Sequence, residues 1–386
     1  MWKATESRPT ASAPGAHACR GCKGRELVPV LDLGSVPAAD HFPSTDGPAG
    51  TRDPVYPLMM TVCRTCALAQ LDSDVTTPEE PRGVEPQALR DQSHDAVRTL
   101  ARDGWLDAGG TVREFASPHG GSWLGLLAGR GFCTHRERFA PEAPADLVLD
   151  SFGMMHEPDQ RAAAERRSEA TAPGGTLLLQ FHSLAAIMTY GQWNALRHGH
   201  FAYYSLTALA ELFATVGMHM AQAWEFGLYG GTVLVAVRHG AARHDAPSVT
   251  RILAAESAAA VADPAALRLL QHSADDDSAA LRTLLHRLDR SGKRVCAYGA
   301  SSRSVAQLYR AGVDRTVLHA VADASPAKRG RRMPGTDVPI IGPDELAAAA
   351  PDRILLTVPD LLPELQRAYP TLDGRWIDCA GIAAHA

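Results

Sequence analysis

The sequence has no surplus of basic residues: 38 lysines and arginines stand against 43 aspartates and glutamates, a formal net charge of -5. A nucleic-acid-binding protein usually carries a basic patch or stripe, so nucleic acid is not an expected partner. No uninterrupted apolar run is long enough to span a bilayer, and residues 1–17 lack the apolar core of a secretory signal. We therefore expect a cytoplasmic protein without a membrane partner, beginning with a disordered lead over residues 1–17.

The cysteines do not suggest a disulfide framework. There are 7 of them, an odd number, in a chain of 386 residues that is 45% hydrophobic. This length and composition suit about two or three ordinary globular domains. Four of the cysteines fall into two closely spaced pairs, a pattern more typical of metal ligands than of disulfides.

The two pairs are Cys19 with Cys22 and Cys63 with Cys66, each of the form CxxC. Each pair can place two thiolates on one metal from a tight turn, and two such turns complete a tetrahedral site. A redox CxxC or a chance spacing is the alternative, but the matched second pair favours a metal. Because cysteines fill all four positions, none is open for catalysis. We predict a structural zinc in a domain over residues 18–80.

Strand and helix signals alternate over residues 93–240, which predicts an α/β fold: a Rossmann-like domain with a mostly parallel sheet. The segment TVREFA is followed by the turn SPHGGS and a short helix. Rossmann-like folds cradle a cofactor against backbone N–H groups with such a strand–turn–helix unit, although an ordinary connecting turn looks the same. The last two strands of this region are expected to pair as an antiparallel hairpin at the sheet edge.

Residues 241–290 are rich in alanine and leucine and predict a helical connector to a smaller Rossmann-like domain over residues 291–386. The first turn of that domain offers Ser302 and Arg303. A basic loop with Lys328 follows the strand that ends at Asp323. Hydroxyl and cationic groups in this arrangement suit a phosphate or diphosphate. A solvated charged loop is the alternative for part of the basic segment.

Residues 192–206, QWNALRHGHFAYYSL, concentrate polar, titratable and aromatic groups in the middle of an otherwise Ala- and Leu-rich chain. Histidine is the side chain suited to proton transfer near neutral pH, and His198 and His200 both lie here. A simpler interpretation is a helix start, with Ser205 as the N-cap of a helix that buries its apolar face. We expect both: the helix after Ser205 is scaffold, and the loop before it is a catalytic site.

Several motifs resemble those of the zinc-containing C-methyltransferases of deoxysugar biosynthesis, and the resemblance covers nearly the whole chain. RHGHFAYYSL is similar to that family's YHEHFSYFSL, and ADLVLDSFGMMHEPD to its ADLI-ANNV-AHVPD stretch, with a match at His156. LDLG at 31–34 and YPL at 56–58 stand in the family's order among the paired cysteines. AYGASSRS and VADASPAKRGRRMPG resemble its C-terminal domain, which in the family helps to bind a sugar nucleotide.

The resemblance implies a reaction. In the family, the second histidine of the loop, here His200, removes a proton from the carbon next to the ketone of a nucleotide-linked 4-keto sugar. The resulting enolate attacks the methyl group of S-adenosylmethionine. The candidate residues are therefore His200, His198, Arg197 and Tyr203 for catalysis; Glu114, Ser117, Gly120 and His156 for the cofactor; and Tyr229, Gly231, Ser302, Arg303, Asp323 and Lys328 for the substrate.

The sequence also departs from the family. Arg197 and Gly199 replace the tyrosine and the glutamate of its loop, and the family's tyrosine-rich segment, here about residues 82–93, has no tyrosine. Arg197 is a permanent cation that suits a carboxylate or phosphate of a changed substrate. The short segment between Gly120 and Asp146 shows no strand ending in an acid for the ribose hydroxyls of the cofactor. These departures argue against a complete S-adenosylmethionine site.

Three functions remain open. The first is a C-methyltransferase with a reduced cofactor pocket. The second is an isomerase, lyase or cyclase that keeps the base and does without the methyl donor, since an enolate without an electrophile is reprotonated, eliminates or closes a ring. The third is a non-catalytic partner subunit. The substrate in the first two is a small molecule, either a nucleotide-linked keto sugar or another natural-product intermediate.

Overall fold

The computed structural model describes residues 18–45, 53–73, 85–107, 109–117, 121–134, 143–240, 246–379 and 382. Within these ranges no helix is both long and apolar enough to cross a membrane. The expected lead over residues 1–17 and the cofactor candidate Gly120 lie outside the described residues. The three-part α/β architecture expected from the sequence is confirmed.

The N-terminal sheet contains three strands from the cysteine-bearing segment and one from the histidine loop. The strands are β1 (Leu27–Pro37), β2 (Val55–Cys63), β3 (Ala69–Leu71) and, much later in the chain, β8 (Ala202–Tyr203). They lie in the order β1-β2-β3-β8 and pair antiparallel. Because β8 follows His200 directly, the sheet that carries the cysteines also holds one end of the histidine loop.

The central sheet has six strands in the order β5-β4-β6-β7-β10-β9. They are β4 (Gly110–Phe115), β5 (Phe132–Cys133), β6 (Ala145–Ser151), β7 (Thr171–His182), β9 (Met218–Phe226) and β10 (Thr232–His239). The first four are parallel, and β10 pairs antiparallel with both β7 and β9. The predicted mostly parallel sheet with an antiparallel hairpin at its edge is therefore confirmed.

Five helices accompany this sheet: α1 (Gln87–Arg102), α2 (Leu124–Ala128), α3 (Gln160–Ala170), α4 (Leu184–Thr189) and α5 (Leu206–Ala214). Leu147 and Leu149 of β6 pack into one core with α1, whereas Val148 packs into another with α5. Successive side chains of a strand point to opposite faces, so a fully buried strand needs apolar residues at every position. Ser205 caps α5 as predicted, its side chain accepting the N–H of Ala208 at 3.1 Å.

The C-terminal sheet is parallel throughout, with the order β13-β12-β11-β14-β15. Its strands are β11 (Val295–Tyr298), β12 (Val321–Ala322), β13 (Ile340–Ile341), β14 (Arg353–Leu356) and β15 (Trp376–Asp378). Helices α9 (Ser302–Arg310), α10 (Pro343–Ala349) and α11 (Leu362–Ala368) belong to it. Helices α6 (Pro247–Ala258), α7 (Pro264–Leu267) and α8 (Leu269–Arg290) connect it to the central sheet.

Candidate active site and metal centre

The four paired cysteines form one cluster, with ligand atoms all within 4.8 Å of one another. The Sγ atoms of Cys19 and Cys66 are 3.5 Å apart, and those of Cys22 and Cys63 are 3.6 Å apart. A tetrahedral zinc with Zn–S bonds of ~2.3 Å separates its sulfur ligands by ~3.8 Å. The thiols therefore fit a four-sulfur zinc site without rearrangement, and the zinc prediction is confirmed.

The histidine loop is held at its C-terminal end by backbone bonds to the central sheet. The N–H of Phe201 donates to the carbonyl of Met155 at 2.8 Å, and the N–H of Leu184 donates to the carbonyl of Tyr204 at 2.8 Å. Gly199, at φ 80, allows the tight turn in which the N–H of His200 reaches the carbonyl of Arg197 at 3.3 Å. These contacts fix His200 beyond the carboxyl ends of the parallel strands, where open α/β sheets bind ligands.

His200 is 8% exposed, and its Nε2 atom faces the guanidinium of Arg197. The Arg197 Nε atom donates to Nε2 at 2.8 Å, and an Nη atom of the same side chain also contacts it. The other Nη atom of Arg197 donates to the hydroxyl of Ser302 at the start of α9. Arg197, one of the two residues that distinguish this loop from the family's loop, is thus in direct contact with the candidate base.

Two aromatic rings lie beside His200. The ring of His156 meets the His200 ring edge-on, with centroids 4.3 Å apart. Burial and the positive charge of Arg197 lower the pKa of His156 to about 3, so His156 is neutral and is not a second acid at working pH. The Tyr203 hydroxyl accepts the backbone N–H of Arg197 at 3.0 Å, and burial raises the pKa of Tyr203. Tyr203 is therefore a neutral phenol that helps hold the turn.

His198, the other histidine of the loop, points elsewhere. Its Nε2 atom lies 3.2 Å from the carbonyl of Pro57 on β2, and its ring packs edge-on against Tyr56 with centroids 6.0 Å apart. Burial lowers the pKa of His198. These contacts connect His198 to the N-terminal sheet. The structure thus brings His200, Arg197 and Tyr203 together and turns His198 towards β2.

A small cavity of about 20 Å³ lies against His200. Its lining includes Tyr203, His182, Tyr229 and Arg303. A space of this size accommodates about one water molecule. It therefore marks where a reacting group would enter without being large enough to hold a substrate.

Tyr229 and Arg303 also line a much larger cleft of about 510 Å³, bordered by Trp193, Gln307 and Asp360. Ligand-sized pockets are typically ~300–1,000 Å³. Because the same two side chains line both spaces, they form the boundary between the cleft and the cavity beside His200. The cleft lies where the central and C-terminal sheets meet, so both can contact one ligand.

Arg303 is partly exposed towards this boundary, and its contacts are weak for a guanidinium. One Nη atom lies 3.3 Å from Nδ1 of His182, and the guanidinium lies over the Tyr229 ring, 4.9 Å from its centroid. Among the described residues it has no carboxylate oxygen within 4.0 Å. Burial, followed by the charge of Arg197, lowers the pKa of Arg303 to about 10, so it remains a cation near neutral pH.

Three other substrate candidates have structural contacts. The Lys328 ammonium is buried, donates to the carbonyl of Ala300 at 2.7 Å and pairs with Asp323 at 3.4 Å. Lys328 and Asp323 thus satisfy each other inside the C-terminal domain. A Cβ atom on Gly231 would overlap Ala186, so glycine is required there for close packing of β10 on α4. The structure does not bring these three residues to the cavity beside His200.

Two of the cofactor candidates, Glu114 and Ser117, line one cavity at the end of β4. Glu114 accepts the N–H of Trp123 at 2.8 Å and the hydroxyl of Ser122, closing the turn after β4. The cavity next to it, lined also by Ser117 and Glu85, is about 10 Å³. His156 is not among its lining residues and lies instead against His200.

S-adenosylmethionine does not fit the described residues as they stand. A cavity of about 10 Å³ holds about one water molecule, far below the ~300 Å³ of the smallest typical ligand pocket. The Glu85 carboxylate lies directly against Gly121, the first described residue after the turn. The strand β5 ends at Cys133, so its last residue is not an acid that could accept the ribose hydroxyls.

Sequence reasoning missed two residues of the site. His182, the last residue of β7, is buried in the cavity wall, and burial followed by the charge of Arg303 lowers its pKa. Its position at the carboxyl end of a predicted parallel strand was a usable signal. Asp40 lies close enough to Arg197 and Lys328 for their charges to oppose the rise that burial causes in the pKa of Asp40. It follows β1, far away in sequence, and no local pattern indicates it.

Comparisons with known proteins match both ends of the chain. A family model described as "Putative zinc binding domain" matches residues 19–80, and one described as "C-methyltransferase C-terminal domain" matches residues 227–377. A curated protein, C-methyltransferase NovU of Streptomyces niveus, is 26% identical over 398 residues, covering 93% of this chain and 94% of the relative.

Solved methyltransferases are similar over a smaller part of the chain. Magnesium protoporphyrin IX methyltransferase (ChlM) from Synechocystis PCC 6803, with bound SAH, is 13% identical and covers 39% of this chain and 84% of that one, with a TM-score of 0.29. N-methyltransferase NodS from Bradyrhizobium japonicum WM9, in complex with S-adenosyl-L-homocysteine, is 14% identical and covers 40% of this chain and 89% of that one, with a TM-score of 0.28.

Proposed function

We propose that the chain is an S-adenosylmethionine-dependent C-methyltransferase that removes a proton from a carbon next to a carbonyl group, with His200 as the base. One observation carries the proposal. Nε2 of His200 accepts a hydrogen bond, so it holds a lone pair, and His200 lines a cavity that shares Tyr229 and Arg303 with a cleft of about 510 Å³. A buried neutral imidazole within reach of a ligand is suited to general-base catalysis.

The cleft suits a nucleotide-linked keto sugar. Its volume of about 510 Å³ agrees with a ligand of that class. Arg303 is the cation best placed for the diphosphate, because its contacts in the described structure are a histidine nitrogen and an aromatic ring rather than a carboxylate. Another natural-product intermediate with an anionic group would satisfy the same contacts.

The proposed chain has four parts. Residues 18–80 form the zinc-binding domain, 93–240 the domain that carries the base, 241–290 the helical connector and 291–386 the C-terminal domain. Each of the three sheets falls largely within one of these units, except that β8 joins the N-terminal sheet. We place the reaction in the cytoplasm, in keeping with a biosynthetic enzyme that acts on small molecules.

When bound, the methyl donor of this family supplies an electrophilic methyl group. In this chain His200 would take the proton, Arg303 would hold the anionic end of the substrate, and Tyr203 would keep the loop in place through the Arg197 N–H.

A second candidate is a carbon-acid isomerase, lyase or cyclase that uses no methyl donor. The observation in its favour is the cavity of about 10 Å³ beside Glu114, where a donor would have to bind. In this function His200 keeps its role as the base, and the enolate is reprotonated, expels a leaving group or attacks within the substrate.

The deciding experiment supplies TDP-4-keto-6-deoxyglucose with S-adenosylmethionine carrying a labelled methyl group, and follows label transfer to the sugar. The control is the same protein without sugar. Transfer of label supports the methyltransferase. Conversion of the sugar at the same rate with and without the donor, and without label, supports the second candidate. If the protein leaves the sugar unchanged under both conditions, and shows no thermal stabilisation by it, the proposed substrate class is wrong.

A further inference from the structure

Arg197 donates a hydrogen bond to the lone pair of His200 Nε2, and the proposed base needs this lone pair to accept a proton. A guanidinium has donors only, so the short contacts from its Nε and one Nη require that His200 Nε2 act as the acceptor. In a neutral imidazole the proton then lies on Nδ1. The free protein therefore holds His200 in the form that can accept a proton, but with the accepting atom already covered by Arg197.

This contact must open before the proton of a substrate can reach Nε2. Hydrogen bonds from Arg197 are released at little cost only if another acceptor takes them. The α-proton of a ketone is separated from the carbonyl oxygen by two heavy atoms, so a substrate whose proton reaches His200 brings its oxygen to the same place. The group that displaces Arg197 from His200 is thus itself an acceptor for the guanidinium.

The surroundings favour this exchange of partners. Ser302 Oγ accepts from one Nη of Arg197, which anchors the guanidinium while its Nε and its second Nη face His200. The charge of Arg197 acts across the cavity, because it contributes to the lowered pKa values of His156 and Arg303. Charge stabilisation by oriented donors is largest in a site from which water is excluded.

We propose that Arg197 is a catalytic residue that stabilises the enolate: its guanidinium leaves His200 Nε2 and hydrogen-bonds to the carbonyl oxygen of the substrate as His200 takes the α-proton. This inference rests on the proposed role of His200. The bonds balance without a further reagent: the C–H bond breaks, an N–H bond forms on Nε2, a C=C bond forms, and the carbonyl electron pair moves to the oxygen that faces Arg197. An imidazolium and an enolate result. The reverse transfer restores the neutral imidazole and the ketone.

The inference also accounts for the replacement in the loop. The family that this sequence resembles has a tyrosine at this position, which donates one neutral O–H. An arginine donates several N–H groups from a permanent cation, and charge-assisted hydrogen bonds are roughly twice as strong as neutral ones. Arg197 therefore places a cationic hydrogen-bond donor beside the base His200 within one turn of the loop.

The test separates stabilisation of the enolate from simple positioning of His200. TDP-4-keto-6-deoxyglucose is incubated in deuterium oxide without S-adenosylmethionine, and deuterium uptake next to the ketone is measured by mass spectrometry. His200→Gly removes the base and leaves space for added imidazole to restore exchange. The comparison is then between His200→Gly and His200→Gly/Arg197→Gln, both with imidazole.

We expect the double variant to exchange roughly 10²–10³-fold more slowly than the imidazole-rescued single variant, the usual effect of losing one oxyanion donor. Arg197→Lys in the same background should recover part of the loss, because it keeps the charge. Equal rescued rates in the single and double variants would overturn the inference, since positioning of His200 is irrelevant when His200 is absent. If wild type itself shows no exchange, the proposed function fails first, and the inference fails with it.

Discussion

At the scale of single residues, the site combines neutral histidines with guanidinium donors. Arg197 donates to Nε2 of His200, and Arg303 lies next to Nδ1 of His182. Both histidines are buried, and Arg303 remains a cation near neutral pH. Burial, followed by the charge of Arg303, lowers the pKa of His182, because a second positive charge there would be desolvated and repelled. The site is therefore prepared to accept a proton and to bind negative charge.

Arg303 should determine affinity for the anionic end of the substrate. We expect Arg303→Ala to raise KM for TDP-4-keto-6-deoxyglucose by roughly ten- to a hundredfold, since hydrogen bonds to charged groups contribute ~1.5–3 kcal/mol. The exposed Arg315 is the matched control, because it lies in the same domain and away from the cleft. Steady-state kinetics of the two alanine variants check this. An unchanged KM in Arg303→Ala would exclude the assigned role.

The lowered pKa of His156 has a consequence for stability. The pKa of His156 falls to about 3 from its ordinary 6.5, so between these values the unfolded chain binds a proton that the folded protein does not. The free energy of unfolding is therefore at its full value above pH 6.5 and decreases as the pH falls, by up to about 1.4 kcal/mol per pH unit for one group. The free energy of unfolding, measured with urea between pH 7 and pH 5, should fall less steeply with decreasing pH for His156→Gln than for wild type. Identical slopes would contradict the assignment.

One buried ion pair should dominate the stability of the central sheet. Arg167 on α3 contacts Asp150 on β6 through two nitrogen atoms, and both side chains are at most 1% exposed. Arg167→Leu leaves Asp150 charged and unpaired, and should lower the free energy of unfolding by ~3–5 kcal/mol. The exposed pair of Arg98 and Asp95 is the control, for which Arg98→Leu should cost less than ~1 kcal/mol. Equal losses in urea unfolding would show that burial of the pair does not matter.

At the scale of elements, the sequence predicted the features that depend on a local residue pattern. The CxxC pairs, the alternating strands and helices, and the Ser205 cap all depend on residues close in the chain, and the structure contains them. The sequence did not indicate that β8 pairs with β3, because Tyr203 and Ala69 are far apart in the chain and two residues carry no periodicity. Arg197 was recognised as a departure from the family, but its contact with His200 Nε2 depends on side-chain geometry.

The pairing of β8 with β3 couples the zinc centre to the histidine loop. Removal of zinc should loosen β3, which lies between Cys66 and the loop, and should raise amide exchange at residues 202–203. Hydrogen exchange measured by mass spectrometry, before and after chelation, checks this. β11 and β14 of the C-terminal sheet are the internal control and should keep their protection. Unchanged exchange at 202–203 in metal-free protein would refute the coupling.

At the scale of the whole molecule, two cavities among the described residues differ greatly in size. The cleft shared with the C-terminal domain measures about 510 Å³, whereas the cavity beside Glu114 measures about 10 Å³. A carbon-acid enzyme needs its substrate, its base and its enolate donor in one place. Arg303 lines the large cleft, and His200, in contact with Arg197, lines the adjoining cavity of about 20 Å³. The expected cofactor residues Glu114 and Ser117 line the small cavity, so methyl transfer and proton transfer are tested separately.

The central claim is that His200 removes a proton from carbon, and deuterium exchange into TDP-4-keto-6-deoxyglucose without S-adenosylmethionine tests it most directly. Wild type should incorporate deuterium next to the ketone. His200→Ala should lose ~10²–10⁴-fold of the rate while keeping its melting temperature and zinc content. His272→Ala, on the exposed face of α8, should exchange as wild type does. Exchange by His200→Ala at the wild-type rate would contradict the account.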